Sequence, residues 1–547
     1  MDKDKLIGYL LLFTVFTIYL FHNGQRGLPN QGKETNSTNP VLDNTKQDMV
    51  ASPNNIHTLP DNVKGSEKEF TIENDQIRVV LSNIGGRIKS VMLKKFNNHL
   101  GGQVVLCNDT SMYTNFTLAR DDYNLGTYDK QFEVVNIGEN KVKMLYADNN
   151  NTIKHIYELC DDDPFIVRDR CEFLCDDKCR VDMSLSNIMM RQEYDLNDCR
   201  LKTYVNYYDI DNRVKSQYEG GGKHCNMLKW IAMKQKFFTI GVSCDKSFCD
   251  ADIKVSSFND DSYIKKCDTT MCVKAQNDDT NTFNLKYYFG PNIYGHLRRF
   301  DVSFEENIYW GIILVSWFNR YVVNPTVASL SNRDINAVIL IILLVVFIKL
   351  MLLPLSWKSY TAMAQMKMLA PELNKIKAKY SNDLQQMQLE QIKLYQEKGI
   401  NPLSGCLPLL VSMPFIVAMY NFIPLEMYFR HKGFLWVKDL SSYDSIYKLP
   451  FYVPFYGDHV SILAILMTLS TIGYSMMNSK SENNSRQMMV FYIVLPLAFL
   501  GAMNNFCSAL VLYYLVSNLV TIVIQFIMVK VATSRKIVPI TIKQTVT

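Results

Sequence analysis

The sequence predicts a multi-pass α-helical membrane protein with a separate antiparallel β-sandwich domain. Three observations lead there. Long apolar runs lie near the N-terminus and after Asp301, while the middle of the chain is polar. Between Ser66 and Asp301 the apolar residues recur in short period-two segments, the spacing of half-buried strands. Basic residues concentrate in alternate loops between the apolar runs. The averages alone, 48% hydrophobic and 20% charged over 547 residues, resemble an ordinary soluble protein. Their distribution excludes a simple soluble enzyme, a collagen-like chain and a wholly disordered one. A net charge of +5 without a large basic block gives no reason to expect direct nucleic-acid binding.

Residues 1–22 carry the apolar run Leu6 to Phe21, flanked by Lys3 and Lys5. His22-Asn23-Gly24-Gln25-Arg26 follows with no small-x-small cleavage site, so the run reads as an uncleaved anchor, slightly short of the ~20 residues of a full span. Residues 23–65 are rich in Asn, Thr, Pro and Gly and cannot bury a core; they read as a flexible linker. Residues 66–301 supply the strands. Ile77 to Leu81 and Phe132 to Ile137 alternate, Gly85-Gly86 and Gly138-Glu139-Asn140 punctuate them as turns, and Phe165, Val167, Cys171 and Phe173 share one parity. Eleven of the thirteen cysteines lie between Cys107 and Cys272. The Cys171-x3-Cys175-x3-Cys179 spacing invites a metal, but no histidine is near in sequence and Cys171 falls on the buried parity. A structural role, as buried thiols or disulfides, is expected, with no metal.

Residues 302–334 place Trp310, Trp317, Arg320 and Tyr321 among aliphatics, the composition of an amphipathic helix lying in the headgroup region. Ile335 to Leu355 is a clear span. Within 403–530 four more follow: Leu403 to Pro424, interrupted by Pro408 and Pro414; His459 to Met477; Met488 to Met503; and Ser508 to Val529. With the anchor that makes six spans, five of them forming the core bundle. The loop 356–402, the loop near Lys480 and Arg486, and the tail 531–547 are basic, whereas Leu425 to Asp458 is balanced. The positive-inside rule then makes both termini cytoplasmic and puts the β domain outside. In 356–402, Met363, Met366, Leu369, Leu373, Ile376 and Tyr380 share a helix face that Pro371 should kink or split; Ser381-Asn382-Asp383 caps a second helix ending before Gly399. The result is a basic helical hairpin, and Met363, Met366 and Lys367 are its candidate contacts for client segments, since thioethers repack easily.

No nucleotide-binding, metalloprotease or nucleophile-elbow motif occurs, which argues against an enzyme or an ATP-driven pump. The residue that stands out is Lys349, inside the apolar run of the Ile335 span. A cation there costs at least ~2.5–3.5 kcal/mol and should face protein or water. Matching polarity comes from Tyr513, Tyr514, Ser517 and Asn518 on the last span, with Thr521 and Gln525 further along the same face. Asn504 and Asn505 end the span before it, and Ser412 and Asn421 interrupt the proline-broken span, where Met413 is a further groove candidate. A lone lysine with polar stripes and no acidic partner fits a hydrated cavity. A small-molecule transporter would be favoured by two inverted repeats, which the spans lack; a sensor with a ligand-binding outer domain would need only one anchor.

Asn401-Pro402-Leu403-Ser404-Gly405-Cys406-Leu407-Pro408 with Met413-Pro414 resembles the signature of the YidC family of bacterial membrane protein insertases. So do Ser508 to Tyr514 with Ser517-Asn518-Leu519, Phe434-Leu435-Trp436 with Asp439-Leu440-Ser441, and Tyr360, Met363, Met366 and Met368. The resemblance implies an inner-membrane insertase and chaperone without a cofactor, working alone or with the Sec translocon. Its partners would be nascent integral membrane proteins, membrane lipids and, at the hairpin, the ribosome. It also implies a polar groove open to lipid and cytoplasm, whose positive charge, commonly arginine in the family, is here Lys349.

Overall fold

In the computed structural model the described residues run from Ser66 to Ser534, less 120–123, 139, 149–150, 176–178, 210, 212, 259, 275–281, 381–382, 400–406 and 480–492. The expected anchor (1–22), linker (23–65) and most of the tail (531–547) lie outside the described residues, as does most of the Asn401 to Pro408 segment. The chain forms two compact units that divide between Ile308 and Tyr309.

The first unit is built of antiparallel strands. Four of them, β1 (Glu69–Glu73), β2 (Ile77–Ser82), β3 (Arg87–Asn97) and β4 (Gln103–Cys107), pair in sequence order. The other thirteen are β5 (Met112–Ala119), β6 (Asn124–Gly126), β7 (Glu133–Gly138), β8 (Lys141–Ala147), β9 (Asn151–Leu159), β10 (Ile166–Cys175), β11 (Arg180–Met190), β12 (Tyr204–Asp209), β13 (Val214–Gln217), β14 (Gly222–Lys234), β15 (Phe238–Ser257), β16 (Tyr263–Lys274) and β17 (Thr282–Pro291). They run in the order β6-β5-β11-β16-β15-β17-β10-β9-β8-β7, with β12, β13 and β14 branching from β15.

Alternation explains the packing. Along β9, Ile153, Tyr157 and Leu159 are buried. Lys154 and Glu158 point the other way and pair across the ladder with Glu172 at 2.9 Å and Lys141 at 3.0 Å. The two sheets are tied by Tyr157, whose hydroxyl donates to the Gly86 carbonyl at 2.8 Å, and by Gln192, whose amide donates to the Val105 carbonyl at 2.7 Å. Gly86 has φ +58°, and a Cβ there would meet the Phe132 ring at 3.0 Å, so this turn requires glycine.

The β unit continues beyond Asp301. Helices α1 (Leu196–Lys202) and α2 (Tyr294–Phe300) and a 3-10 turn at Phe304–Asn307 belong to it. Phe304 meets the Trp230 ring edge-on at 4.9 Å. It fills the space above Gly241, where a Cβ would come within 2.5 Å of its ring. The sequence grouped 302–307 with the interfacial helix because Phe304's partner lies far away in the chain.

The second unit is helical. Its first part breaks into α3 (Ile313–Phe318), a π turn (Asn319–Val323) and α4 (Asn324–Ser331). Val315, Phe318, Val323 and Val327 are buried, with Phe318 edge-on to Phe415 at 4.8 Å, while Ile313, Leu314, Trp317 and Tyr321 are exposed. Helix α5 (Ala337–Met368) carries the expected span onward without a break. Pro371 falls in the first turn of α6 (Ala370–Lys379), so it splits the hairpin pattern rather than kinking it. The Asp383 carboxylate accepts from Gln385 N at 3.1 Å and Gln386 N at 3.0 Å and starts α7 (Leu384–Glu397). Leu369, Leu373 and Leu394 close the hairpin.

Helices α8 (Leu407–Phe422), α9 (Ile462–Ser479), α10 (Leu495–Asn504) and α11 (Ser508–Ser534) follow, with a hairpin of β18 (Tyr447–Val453) and β19 (Gly457–Val460) between α8 and α9. Among the described residues, Ala337–Pro354 and Ser508–Met528 are long and apolar enough to cross a membrane; Ser412–Leu425, Ile462–Met477 and Leu495–Asn504 are shorter apolar stretches. One boundary is corrected. The span expected from His459 begins at Ile462, because His459 belongs to β19 and its ring is bonded to the Asn504 carbonyl at 2.8 Å.

Candidate functional site: the polar face of the helical unit

Lys349 sits on α5 between two faces. Leu344, Val345, Ile348 and Leu352 are buried on one side, and Val346, Phe347 and Leu350 are exposed on the other. Lys349 itself is half-buried, and among the described residues no carboxylate pairs with it. Any side chain that long can carry its ammonium toward water along an apolar stem.

Helix α11 is the hub of the remaining polarity. The Tyr514 hydroxyl donates to the Ile416 carbonyl on α8 at 3.0 Å. Asn518 donates from its amide to Ser470 Oγ at 3.0 Å and Thr471 Oγ1 at 2.8 Å on α9. Residues 514, 518, 521 and 525 recur at three and four, so Thr521 and Gln525, both buried, extend the stripe. Tyr513 is buried beside Tyr514, with ring centroids 5.5 Å apart. Ser412, Met413 and Ser517 are half-buried on α8 and α11. The structure therefore brings Tyr514 and Asn518 together with α8 and α9, and no bond among the described residues joins Lys349 to them.

Asn504 and Asn505 are placed differently. The Asn504 amide donates to the Tyr456 and His459 carbonyls at 2.9 and 2.8 Å, and its oxygen accepts from Ser461 N at 2.9 Å. Asn505 donates to the Tyr456 and Gly501 carbonyls at 3.0 and 3.1 Å. Both fasten the end of α10 to the segment before α9 and leave no amide donor free for a passing chain. Met363, Met366 and Lys367 lie on α5, but their side chains fall outside the described residues.

Two features were missed in the sequence. Ser470 and Thr471 complete the Asn518 network. Their hydroxyls also bond Met467 O, at 2.6 and 2.9 Å, which lets such residues sit unobtrusively in apolar helices. Asp444, buried, accepts from Ser461 Oγ, from Leu463 N at 3.2 Å and from Trp436 Nε1 at 3.2 Å, holding the start of α9. The Trp436-x7-Asp444 spacing gave no signal by itself.

In the β unit a histidine does meet the cysteine run, from the neighbouring strand. His155 lies opposite Cys171 in the β9–β10 ladder, with Nδ1 at 2.9 Å from Asp169 Oδ2 and 3.5 Å from Cys171 Sγ. These three ligand atoms lie within 4.8 Å of one another and could hold an ion. The rings of Phe116, Phe132 and Phe173 crowd the imidazole, and burial pushes the Cys171 thiol well above its ordinary value. The imidazole Nδ1 is committed to Asp169, while His155 Nε2 and Asp169 Oδ1 are buried with no hydrogen-bond partner among the described residues.

Comparison with known proteins places these parts. A family model described as "60Kd inner membrane protein" matches residues 326–535, and one described as "YidC periplasmic domain" matches 192–324. A membrane protein insertase YidC of Amoebophilus asiaticus is 35% identical over 546 residues, covering 95% of this chain and 91% of the relative. The insertase YidC of Parabacteroides distasonis is 29% identical, covering 96% and 91%. A crystal structure of an active YidC insertase covers 84% of this chain and 93% of its own, at 16% identity and a TM-score of 0.34, a likeness too slight to add weight. The sequence relatives span both units, and on their strength this chain belongs to the YidC family.

Proposed function

We propose that this protein inserts integral membrane proteins into the bacterial inner membrane through a hydrated groove beside α5, α8, α9 and α11. The observation that carries this reading is a cation and a polar stripe within apolar helices: Lys349 has no carboxylate partner among the described residues, and on α11 Tyr514 bonds the Ile416 carbonyl of α8 while Asn518 bonds Ser470 and Thr471 of α9. Polarity at that depth is expensive unless it faces water or protein. A groove that admits water lets a client's polar flank stay hydrated while its apolar segment slides into lipid. No covalent chemistry is required, and its relatives carry the name insertase.

The same reading supplies a topology. With the N-terminal anchor and five further spans, the basic 356–402 loop and both termini are cytoplasmic and the β unit is periplasmic. The exposed Ile313, Leu314, Trp317 and Tyr321 then lie against the membrane interface. The hairpin, through Met363, Met366 and Lys367, would meet clients or the ribosome before the groove does, and the Sec translocon is a further partner. Lipids surround the exposed apolar faces of α5 and α11. Depleting the protein and scoring which membrane proteins fail to become protease-protected tests the function. Normal insertion of every single-span client on full depletion would overturn it.

A further inference from the structure

In the β unit Cys249 on β15 and Cys272 on β16 are paired residues at one end of an antiparallel ladder, set off from the next pair, Asp252 and Thr270, by a bulge. Opposed residues in such a ladder have Cα atoms about 4.5 or 5.5 Å apart and side chains on the same face, inside the separation a disulfide requires. The Cys249 thiol reaches toward its partner strand and donates to the Cys272 carbonyl at 3.5 Å. Cys249 is half-buried, whereas the other free cysteines among the described residues are buried. Solvent-borne reagents therefore meet Cys249 before the other free thiols among the described residues. The pair also lies near Cys179, just before β11, which is itself disulfide-bonded. The next residue, Arg180, bridges Asp182 at 2.7 Å and Asp250 at 2.9 Å, and these flank Cys272 and Cys249 in register and in sequence.

We infer that Cys249 and Cys272 form a cross-strand disulfide that an external thiol-disulfide oxidant can make and a reductant can break. The reaction balances as an exchange. The Cys249 thiolate attacks the oxidant's disulfide, giving a mixed disulfide and one released thiolate. The Cys272 thiolate then attacks Cys249 Sγ and expels the second. Two electrons pass to the oxidant, which leaves as a dithiol carrying the two protons that the cysteines lost. A side-chain hydrogen bond in which the Cys272 thiol donates to Cys249 Sγ draws Cys249 below its ordinary value and raises Cys272, which fits Cys249 as the first nucleophile. The bond would staple the middle of the large sheet, where β15 joins β14, β16 and β17.

The test uses the full-length protein, extracted from membranes without reductant, alkylated while denatured, and mapped by mass spectrometry. The expected result is a peptide pair linked through Cys249 and Cys272, with Cys171, Cys244 and Cys267 alkylated as free thiols. Cys179 in a linked peptide reports that the domain reached an oxidising compartment. A linked Cys179 beside free Cys249 and Cys272 overturns the inference and leaves the periplasmic placement standing; all three free overturns both. As a second readout, reductant should lower the melting temperature of the wild type by about 5–10 °C more than that of Cys249→Ser/Cys272→Ser. Equal shifts in the two proteins refute the cross-link.

Discussion

Replacing Asp444 by alanine tests whether the start of α9 is held by one buried carboxylate. The change strips a partner from Ser461 Oγ, Leu463 N and Trp436 Nε1 and leaves the first two buried. Leu463 N is one of the helix's first N–H groups, which have no partner inside the helix. A donor left unpaired in the interior costs about 1–3 kcal/mol, and such penalties overlap when the groups share one partner. A total of about 3–4 kcal/mol follows, with up to ~1 of it from losing a negative charge at a helix N-terminus. For a unit of this size that lowers the melting temperature by on the order of 10 °C. Asp444→Asn keeps one acceptor and should lose about half as much. The assay is thermal unfolding of the purified full-length protein in lipid nanodiscs, followed by tryptophan fluorescence, alongside limited proteolysis between α8 and α9. Alanine and asparagine variants that melt with the wild type, with the loop equally protected, would show that Asp444 is incidental and that Asn504 and His459 hold this end alone.

Other outcomes follow from the same geometry. Asn518→Leu removes two interhelical bonds worth about 0.6 kcal/mol each, with ~1.7 as the upper range; it should lower the melting point by a few degrees, and its effect should overlap with that of Ser470→Ala/Thr471→Val, whereas strict additivity would deny the network. Lys234, buried with its ammonium on the Lys202 carbonyl, is pushed down to about 7 by burial and then by Lys202. The unfolded chain thus binds more protons between about pH 7 and 10, so stability rises with pH across that window and the penalty is complete below it. Comparing melting between pH 6.5 and 9, the rise should be smaller in Lys234→Met, and identical slopes would refute the burial argument. Photo-crosslinkers at Met363 or Met366 should capture nascent membrane proteins in stalled ribosome complexes; silence there with capture at Ser412 or Tyr513 would reduce the hairpin to a structural part.

Local rules carried much of the architecture. The shared parity of Val167, Cys171 and Phe173 defines a strand, Pro371 splits the helical pattern and Asp383 caps the helix after it, because each effect acts within a few residues. What the sequence hid depends on partners far along the chain. His155 joins Cys171 only through the β9–β10 register. His459 leaves the helical run because Asn504, 45 residues on, holds it. Asn518 could be read as polar and inward, but periodicity does not say which neighbouring helix it meets, so Ser470 and Thr471 went unnoticed. Asn504 and Asn505 had the right residue type for a groove. The Asn504 side chain bonds the backbone of Tyr456, His459 and Ser461, and the exposed Asn505 donates to Tyr456 and Gly501, partners that periodicity does not name.

In the proposed mechanism the charge at position 349 attracts the acidic flank of a client into a hydrated groove. At an effective dielectric near 20, an ion pair at about 4 Å gains ~4 kcal/mol before desolvation is subtracted. A net gain of about 1–2 kcal/mol changes insertion rates about five- to thirtyfold. The direct measurement is protease protection of a single-span client, with an acidic or a neutral translocated flank, in vesicles carrying each variant. Lys349→Arg should insert both clients as the wild type does. Lys349→Ala should slow the acidic-flanked client more than the neutral one, and Lys349→Glu should slow it most. Wild-type rates for the acidic-flanked client with both the alanine and glutamate variants would contradict the claim and leave hydration and shape as the working parts of the groove.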